Sequence, residues 1–175
     1  MPGDAVNQLV EDTYAELRRL AGRYVHRDRN ASVQATDLVH EAYLRLSKTT
    51  EPPWRDRTHF VAIAAISMRR LLVERARARG AGKRGGGQLR VTLDDSLFAP
   101  AAQVQYVDVV ALDRALERLA GIDPQQARIV ELRYFGGMSV PETAETLGVS
   151  EATVKRHWTF ARAWLLRELE GPEPA

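Results

Sequence analysis

The sequence predicts an all-α protein of two small helical domains joined by a flexible linker. Apolar residues recur at spacings of three and four along most of the chain, which is the period of one buried helix face. A glycine-containing stretch without this period, residues 81–106, separates residues 1–80 from residues 107–171. Cysteine is absent, so neither disulfides nor thiolate metal sites contribute to the fold.

The composition is that of a globular chain with little net charge. Of the 175 residues 45% are hydrophobic, which is enough for a core in each domain. The formal charge of +2 is too small to indicate a nucleic-acid partner by itself, so the distribution of charge matters more. The longest apolar run, Phe60 to Ile66, is far below the roughly 20 residues that cross a bilayer, and no signal peptide opens the chain. We therefore expect a cytoplasmic protein with no membrane partner.

The first domain begins with two predicted helices. The inward face of the first is expected to comprise Val10, Tyr14, Leu17, Ala21 and Tyr24. Thr36 or Asp37 is expected to cap the second, whose inward residues are predicted to be Val39, Ala42, Tyr43 and Leu46. Its other face carries Asp37, His40, Glu41 and Arg45. These polar residues form either a solvated surface or the contact face for a partner.

A basic helix follows a loop that carries a tryptophan. Trp54 follows two prolines, and it either closes the end of the helical bundle or has a binding role. The helix is predicted to begin at Phe60 and to end at Gly80 or Gly82. Between residues 69 and 90 Glu74 is the only acid among eight bases. Neighbouring helices should cover the apolar face of this helix, which leaves little of it for a membrane. A nucleic acid is therefore favoured over a membrane surface as the partner of its basic face.

Residues 123–169 have the spacing of a helix-turn-helix. Asp123 is expected to cap a helix that ends at Gly136 and Gly137. Ser139 and Glu142 form a predicted capping box on a short second helix. Gly148 should end that second helix, and Ser150 should cap the third. A plain helical bundle with a polar outer face is the alternative interpretation.

The third helix of this motif carries polar side chains at its start. The outward positions are predicted to be Glu151, Thr153, Lys155, Arg156 and His157, and the cap residue Ser150 is a further candidate for DNA contact. Side chains of these types reach phosphates or base edges in DNA complexes. Trp158 falls on the inward stripe with Val154 and Leu165, so we expect it in the core rather than stacked on DNA.

Four segments, in this order, resemble the sigma-70 family of bacterial transcription initiation factors, and in particular its extracytoplasmic-function (ECF) group. They are TDLVHEAYLRL, the basic helix after WRDRTHF, the linker with KRGGG and RVTLDD, and VSEATVKRHWTFARAWL. The resemblance covers nearly the whole chain and preserves the spacing of the segments.

The resemblance implies a two-domain factor that binds core RNA polymerase, directs it to promoters and helps to melt the DNA. Residues 1–80 would bind polymerase and the minus-ten element, and residues 107–171 would bind the minus-thirty-five element. The polymerase partners implied are the clamp coiled coil of the largest subunit and the beta flap. An anti-sigma factor, the family's usual inhibitor, is a further candidate partner.

The resemblance also implies a role for individual residues. Contacts with the clamp coiled coil would come from Asp37, Leu38, Glu41 and Arg45. Contacts with the minus-ten element would come from Trp54, Arg69, Arg70 and Arg75, with the tryptophan segment receiving an unstacked base. In the recognition helix Lys155, Arg156 and His157 would be the main minus-thirty-five contacts.

Two other classes of function are alternatives. A stand-alone helix-turn-helix regulator would bind a palindrome as a dimer, but it would need no basic helix in its first domain. An enzyme could use His26, His40 or His59 with Glu41, but these histidines share no ligand spacing, and HEAYL lacks the second histidine of a zinc-protease helix. We therefore expect no catalytic residue, no metal and no cofactor.

Overall fold

The computed structural model describes residues 2–24, 35–49, 54–82, 90–93 and 105–171. Within these ranges the chain forms seven α-helices and two short strands, so the predicted all-α class is confirmed. The helices are α1 (Pro2–Tyr24), α2 (Ala35–Leu46), α3 (Arg57–Gly82), α4 (Val109–Ile122), α5 (Pro124–Val130), α6 (Val140–Leu147) and α7 (Glu151–Glu170). The strands β1 (Arg90–Leu93) and β2 (Gln105–Asp108) pair antiparallel, with Arg90 opposite Asp108.

Both strands lie mainly within the segment predicted as a linker. Of the stretch predicted to be β-like, the described residues Arg90–Leu93 form β1. The triple glycine and the proline-containing part of the predicted linker lie outside the described residues. The predicted bounds of the domains and of the linker remain predictions.

One residue of the predicted inward face of α1 lies on its surface. Leu17, Ala21 and Tyr24 are buried as expected, but Tyr14 is 39% exposed, so its predicted inward position is wrong. Thr13 is buried instead of Tyr14. Its hydroxyl donates to the Leu9 carbonyl at 2.5 Å, so its hydrogen-bonding capacity is satisfied within the helix. A threonine can therefore lie in the core at little cost.

Helix α2 packs on α1 and α3 through one apolar face. Val39, Ala42 and Leu46 are buried as predicted. Tyr43 is half-buried, and its hydroxyl donates to Oδ1 of Asn7 on α1. The helix begins at Ala35, so Thr36 and Asp37 lie within its first turn rather than at the cap position that was expected.

Helix α3 is the central element of the structure. It begins at Arg57, three residues before the predicted start, because Asp56 Oδ1 accepts the His59 backbone N–H at 2.8 Å. Its buried apolar residues are Phe60, Val61, Ala62, Ala64, Ala65, Ile66, Met68, Leu71, Leu72 and Val73. These residues lie on every side of the helix. They are buried because α1 and α2 pack on one side of α3, and α4 and residues 131–135 pack on another.

The C-terminal helices have the caps that the sequence predicts. Asp123 Oδ1 accepts the N–H groups of Gln125 and Gln126, at 3.0 and 3.1 Å. Both bonds of the capping box between Ser139 and Glu142 are present. Gly148, at φ 66°, ends α6 in the left-handed region that glycine adopts without strain.

One feature of this region has no counterpart in the prediction. After α5 the chain continues as a π-helical turn, Glu131–Phe135, before Gly137 reverses it at φ 67°. Such turns are rare, and they shift the side chains that follow them around the helix axis. Here Leu132 and Phe135 are fully buried. The turn thus presents a packing surface toward α3.

Helices α1–α3 and α4–α7 pack on each other through this turn. Ala62 and Ile66 of α3 form an apolar cluster with Leu132 and Met138. A Cβ atom on Gly136 would lie 2.7 Å from the Ala62 Cβ, so the two backbones meet where only glycine fits. The two predicted domains therefore share a continuous interface in this structure.

Candidate functional site

Helix α7 presents an exposed polar stripe on the side that faces away from its packed core. Lys155 and Arg156 are both exposed, as is Glu151 one turn earlier. Thr159, which the sequence analysis did not include, continues the stripe one turn later. The sequence contains a signal for it, because a residue four positions after Lys155 lies on the same face of a helix. Val154 and Leu165 are buried on the opposite face, so the stripe is supported by a packed core.

Ser150 and Thr153 take part in the cap of α7. Ser150 Oγ accepts the Thr153 N–H at 3.1 Å, and the two hydroxyl oxygens are 2.9 Å apart. Both side chains therefore hold the start of the helix. Ser150 also remains exposed, so its hydroxyl can face a ligand.

His157 departs from its predicted place on the outer face. Its side chain is 16% exposed, and its Nδ1 atom is 3.8 Å from Oδ2 of Asp123, the residue that caps α5. The Nδ1 atom has no hydrogen-bond partner within the described ranges. The His157 ring is therefore turned inward. Position 157 lies between the outer stripe of α7 and the face of α7 that packs on the core. Direct contact of His157 with DNA would require the side chain to turn outward.

Trp158 packs on the core as the sequence predicts. It is half-buried against the cluster formed by Ile129, Ala144 and Val154. The Arg133 guanidinium lies over its ring, 4.7 Å from the centroid. This contact joins the π-helical turn to α7 and helps to hold α7 in place.

The outer face of α2 brings together most of the predicted polymerase contacts. Asp37 and Arg45 are exposed, and Glu41 is partly exposed on the same side. Leu38, in contrast, has no exposed surface, so its place as a surface contact is corrected: it anchors α2 in the core. Leu44 is 43% exposed and lies seven residues after Asp37, on the same face. The sequence analysis missed Leu44, although this spacing was visible.

Two ion pairs join this face of α2 to α3. The Arg45 guanidinium donates two hydrogen bonds to the Glu74 carboxylate, at 2.9 and 2.5 Å. These bonds lower the pKa of the Glu74 carboxyl and raise the pKa of Arg45. Arg75 likewise donates to Glu41. The residues predicted to bind polymerase and those predicted to bind the minus-ten element are therefore neighbours.

The arginines of α3 differ in their accessibility. Arg70 is exposed, and Arg75 is partly buried beside Glu41. Arg69 is only 5% exposed and pairs with Asp113 at 2.6 Å and with Glu131 at 3.0 Å. Its guanidinium also lies 5.0 Å from the centroid of the Phe135 ring. The surface position predicted for Arg69 is therefore not what the structure shows, because α4 and the π-helical turn cover it.

Trp54 lies at the entrance to α3. Its indole meets the Phe60 ring edge to face, with centroids 5.0 Å apart, and the residue is half-buried. It therefore contributes to the end of the bundle and still presents part of its surface. The prolines before it lie outside the described residues.

His59, one of the histidines of the enzymatic alternative, has a structural environment. His59 is buried, and its Nδ1 atom accepts the Arg55 backbone N–H at 3.2 Å. Burial, and to a smaller extent Arg128, lowers the pKa of this imidazole. Among the described residues, no three His, Asp or Glu side chains are arranged to hold a metal ion. His26 lies outside those residues.

A membrane-spanning segment was not expected. Of the helices within the described ranges, none combines the length and the apolar character needed to cross a bilayer.

Comparison with known proteins identifies the family of the chain. A family model described as ECF sigma factor matches residues 2–171, which is nearly the entire chain. Comparison with curated proteins gives no match. Sigma factors of this group are non-catalytic factors of transcription initiation that act with RNA polymerase on promoter DNA. The chain therefore belongs to the ECF sigma factor family.

Proposed function

We propose that this protein binds core RNA polymerase through α2, recognises a minus-thirty-five element with α7, and holds melted minus-ten DNA with α3 and Trp54. The observation that carries the proposal is the outer stripe of α7, where Lys155 and Arg156 are exposed on a helix that is capped by Ser150 and packed on its other face. A helix of this kind enters the major groove by its first turns. The polar residues of α7 available for contact with DNA are those of the exposed stripe, Glu151, Lys155, Arg156 and Thr159.

The first turns of α7 combine contacts for phosphates and for bases. Lys155 and Arg156 suit phosphates, and an arginine can also pair with guanine. Glu151 can accept a hydrogen bond from cytosine, and Thr159 extends the same face. Because Ser150 caps the start of α7, these side chains are held in one arrangement on a helix rather than on a mobile loop.

The outer face of α2 supports the polymerase interface. An exposed leucine beside exposed charges is a common pattern at protein interfaces, where an apolar anchor is surrounded by polar groups. Leu44 would be that anchor, with Asp37 and Arg45 around it.

Melting of the minus-ten element requires a substitute for lost base stacking. Base stacking on an aromatic ring contributes about 1 to 3 kcal/mol. Trp54 keeps an accessible part while Phe60 holds its ring, and Arg70 is exposed on the following helix for the backbone of the separated strand.

The polymerase interface is tested by measuring binding to purified bacterial core polymerase. Asp37→Arg combined with Leu44→Ser should weaken binding at least about tenfold, because it removes an interface anchor and reverses a charge. Glu11→Arg combined with Tyr14→Ser on α1 is the matched control, since it changes one exposed acid and one exposed apolar residue. Equal binding by both double variants would reject the α2 interface. A wild-type protein that does not bind polymerase would reject the proposed function.

A further inference from the structure

The residues of α7 that point most directly away from the core form a single row, which we call the outward line. They recur at intervals of four, three and four residues and are all exposed: Ala152, Arg156, Thr159 and Ala163. The buried residues Val154, Ala161 and Leu165 each lie two positions after a member of this line. Because two positions differ by about 200° around a helix axis, the outward line is opposite the packed face. It is therefore the part of α7 that would reach deepest into a groove.

Only one side chain near the start of the outward line offers a hydrogen-bond donor to a base. Within the described part of the chain, the Arg156 guanidinium has no ion pair or hydrogen bond, so its donors are available to a ligand. The Thr159 hydroxyl donates to the Lys155 carbonyl oxygen at 2.9 Å, so its proton is used within the helix. Ala152 carries only a methyl group. The line thus presents a guanidinium between two side chains whose remaining contact groups include a methyl.

These groups match a particular set of base edges in the major groove. A guanidinium pairs with O6 and N7 of guanine, and alanine or the threonine methyl group contacts the methyl group of thymine. Along the helix axis Ala152 lies about 6 Å before Arg156, and Thr159 lies about 4.5 Å after it. At about 3.4 Å per base pair, these distances correspond to one or two base pairs on either side of the guanine.

DNA is a better occupant of this line than another protein. The exposed Lys155 adjoins the line, and Arg156 lies within it, so both supply positive charge where phosphates would pass. Ser150 fixes the first turn, from which Ala152 projects. A short side chain at that position lets the helix approach the base pairs closely.

We propose that Ala152 and Thr159 are specificity-determining residues that contact thymine methyl groups, so that the minus-thirty-five element of this protein has thymine on both sides of the guanine bound by Arg156. The inference rests on the proposed function, because that function assigns α7 to DNA. It goes further by stating which bases the helix selects and through which groups.

The test begins with selection of duplex DNA from a random library by the complex of the full-length protein with core polymerase. Each thymine of the selected minus-thirty-five element is then replaced by deoxyuridine, which removes only the methyl group. At the two positions beside the guanine this replacement should weaken binding about fourfold, because burial of one methyl group has about this effect. Thymines in the flanking DNA are the control and should tolerate the replacement. Equal effects at all thymines, or no effect at any, would overturn the proposal.

Variants of α7 show which residue contacts each methyl group. Thr159→Ser removes a methyl group and retains the hydroxyl that bonds to Lys155, whereas Ala152→Gly removes the methyl group of the first turn. Each variant should abolish the effect of deoxyuridine at one position and leave it at the other. Ala163→Gly is the control, because it places the same helix-weakening glycine at an exposed site about 16 Å further along α7. Effects retained at both positions in Thr159→Ser and Ala152→Gly would reject the assignment.

The outcomes separate this inference from the proposed function. A complex that selects no minus-thirty-five element would reject the proposed function and the inference with it. A selected element that lacks these thymines rejects only the contacts of Ala152 and Thr159. Weaker binding of core polymerase by Thr159→Ser would place a protein on the outward line and would also overturn the inference. If circular dichroism shows that Ala152→Gly is unfolded, Thr159→Ser and the deoxyuridine series with the wild type decide the question.

Discussion

Arg69 and Asp113 are 44 positions apart in the chain, yet the Arg69 Nη1 atom lies 2.6 Å from Oδ1 of Asp113 in a nearly buried ion pair. This pair joins α3 to α4. Arg69 also pairs with Glu131, which connects α3 to the π-helical turn. Helix α3 is thereby held in one arrangement with α4 and the π-helical turn, which bears on both the stability and the proposed activity of the protein.

Replacement of Arg69 should destabilise the protein strongly. Arg69→Ala leaves Asp113 and Glu131 without one partner in a largely buried site, and breaking such pairs costs about 3 to 5 kcal/mol. We expect the lower end of that range, because Arg77 and Arg128 still pair with the two acids. The free energy of unfolding in urea measures the effect. The adjacent exposed Arg70→Ala is the control and should change it by less than about 0.5 kcal/mol; similar losses for both variants would contradict this account.

Gly136 should not tolerate even a methyl group. A Cβ atom at this position would lie 2.5 Å from the Leu132 carbonyl oxygen and 2.7 Å from the Ala62 Cβ. Gly136→Ala should therefore lower the free energy of unfolding by about 1 to 3 kcal/mol. Gly121→Ala near the end of α4 is the control, since nothing lies within 4 Å of its added Cβ, and a neutral or stabilising effect is expected. If Gly136→Ala were also neutral, the close contact of the two groups of helices would be in doubt.

Lys155 and Arg156 should contribute to promoter binding by the complex with polymerase. Lys155→Ala and Arg156→Ala should each weaken that binding by about 1 to 3 kcal/mol, because each removes a contact to phosphate or to a base edge. Binding of the polymerase complex to a promoter fragment at two salt concentrations measures the loss. Arg167→Ala, an exposed change near the other end of α7, should have little effect. A loss of polymerase affinity in the Lys155 or Arg156 variant would instead indicate misfolding.

His59 should make the protein less stable in mild acid. Burial and Arg128 keep the pKa of its imidazole below the ordinary value near 6.5, and Asp56 opposes this shift without reversing it. The unfolded chain therefore takes up the proton first as pH falls, so the stability that a neutral His59 supports is present above about pH 6.5 and is lost below it. The melting temperature should fall between pH 7.5 and 5.5, and it should fall less in His59→Asn, whose Oδ1 can still accept the Arg55 N–H. Parallel decreases in the two proteins would show that His59 is not the group responsible.

The parts of the fold that depend on neighbours in the sequence were predictable. The caps at Asp123, Ser139 and Ser150 are formed with residues two or three positions away, so their spacing is visible in the sequence. The end of α6 at Gly148 and the outward position of Lys155 on α7 also depend on nearby residues, so both were predictable from the sequence.

The contacts between distant helices were not predictable in the same way. Arg69 was expected on the surface because a sequence does not show which residues 44 and 62 positions away will cover it. One signal was present: the run from Phe60 to Ile66 is apolar on every side of a helix, which is typical of a helix buried all round. His157 and Tyr14 lie at the edges of their stripes, where a rotation of the helix by a fraction of a turn decides the side on which they lie.

The most direct test of the proposed function is reconstituted transcription. Purified protein is added to bacterial core polymerase with genomic DNA from the organism that encodes it as template, and the 5′ ends of the transcripts are sequenced. The account predicts new start sites that share two upstream sequence elements, lost with Asp37→Arg combined with Leu44→Ser and retained with Glu11→Arg combined with Tyr14→Ser. Transcripts identical to those of core polymerase alone would contradict it.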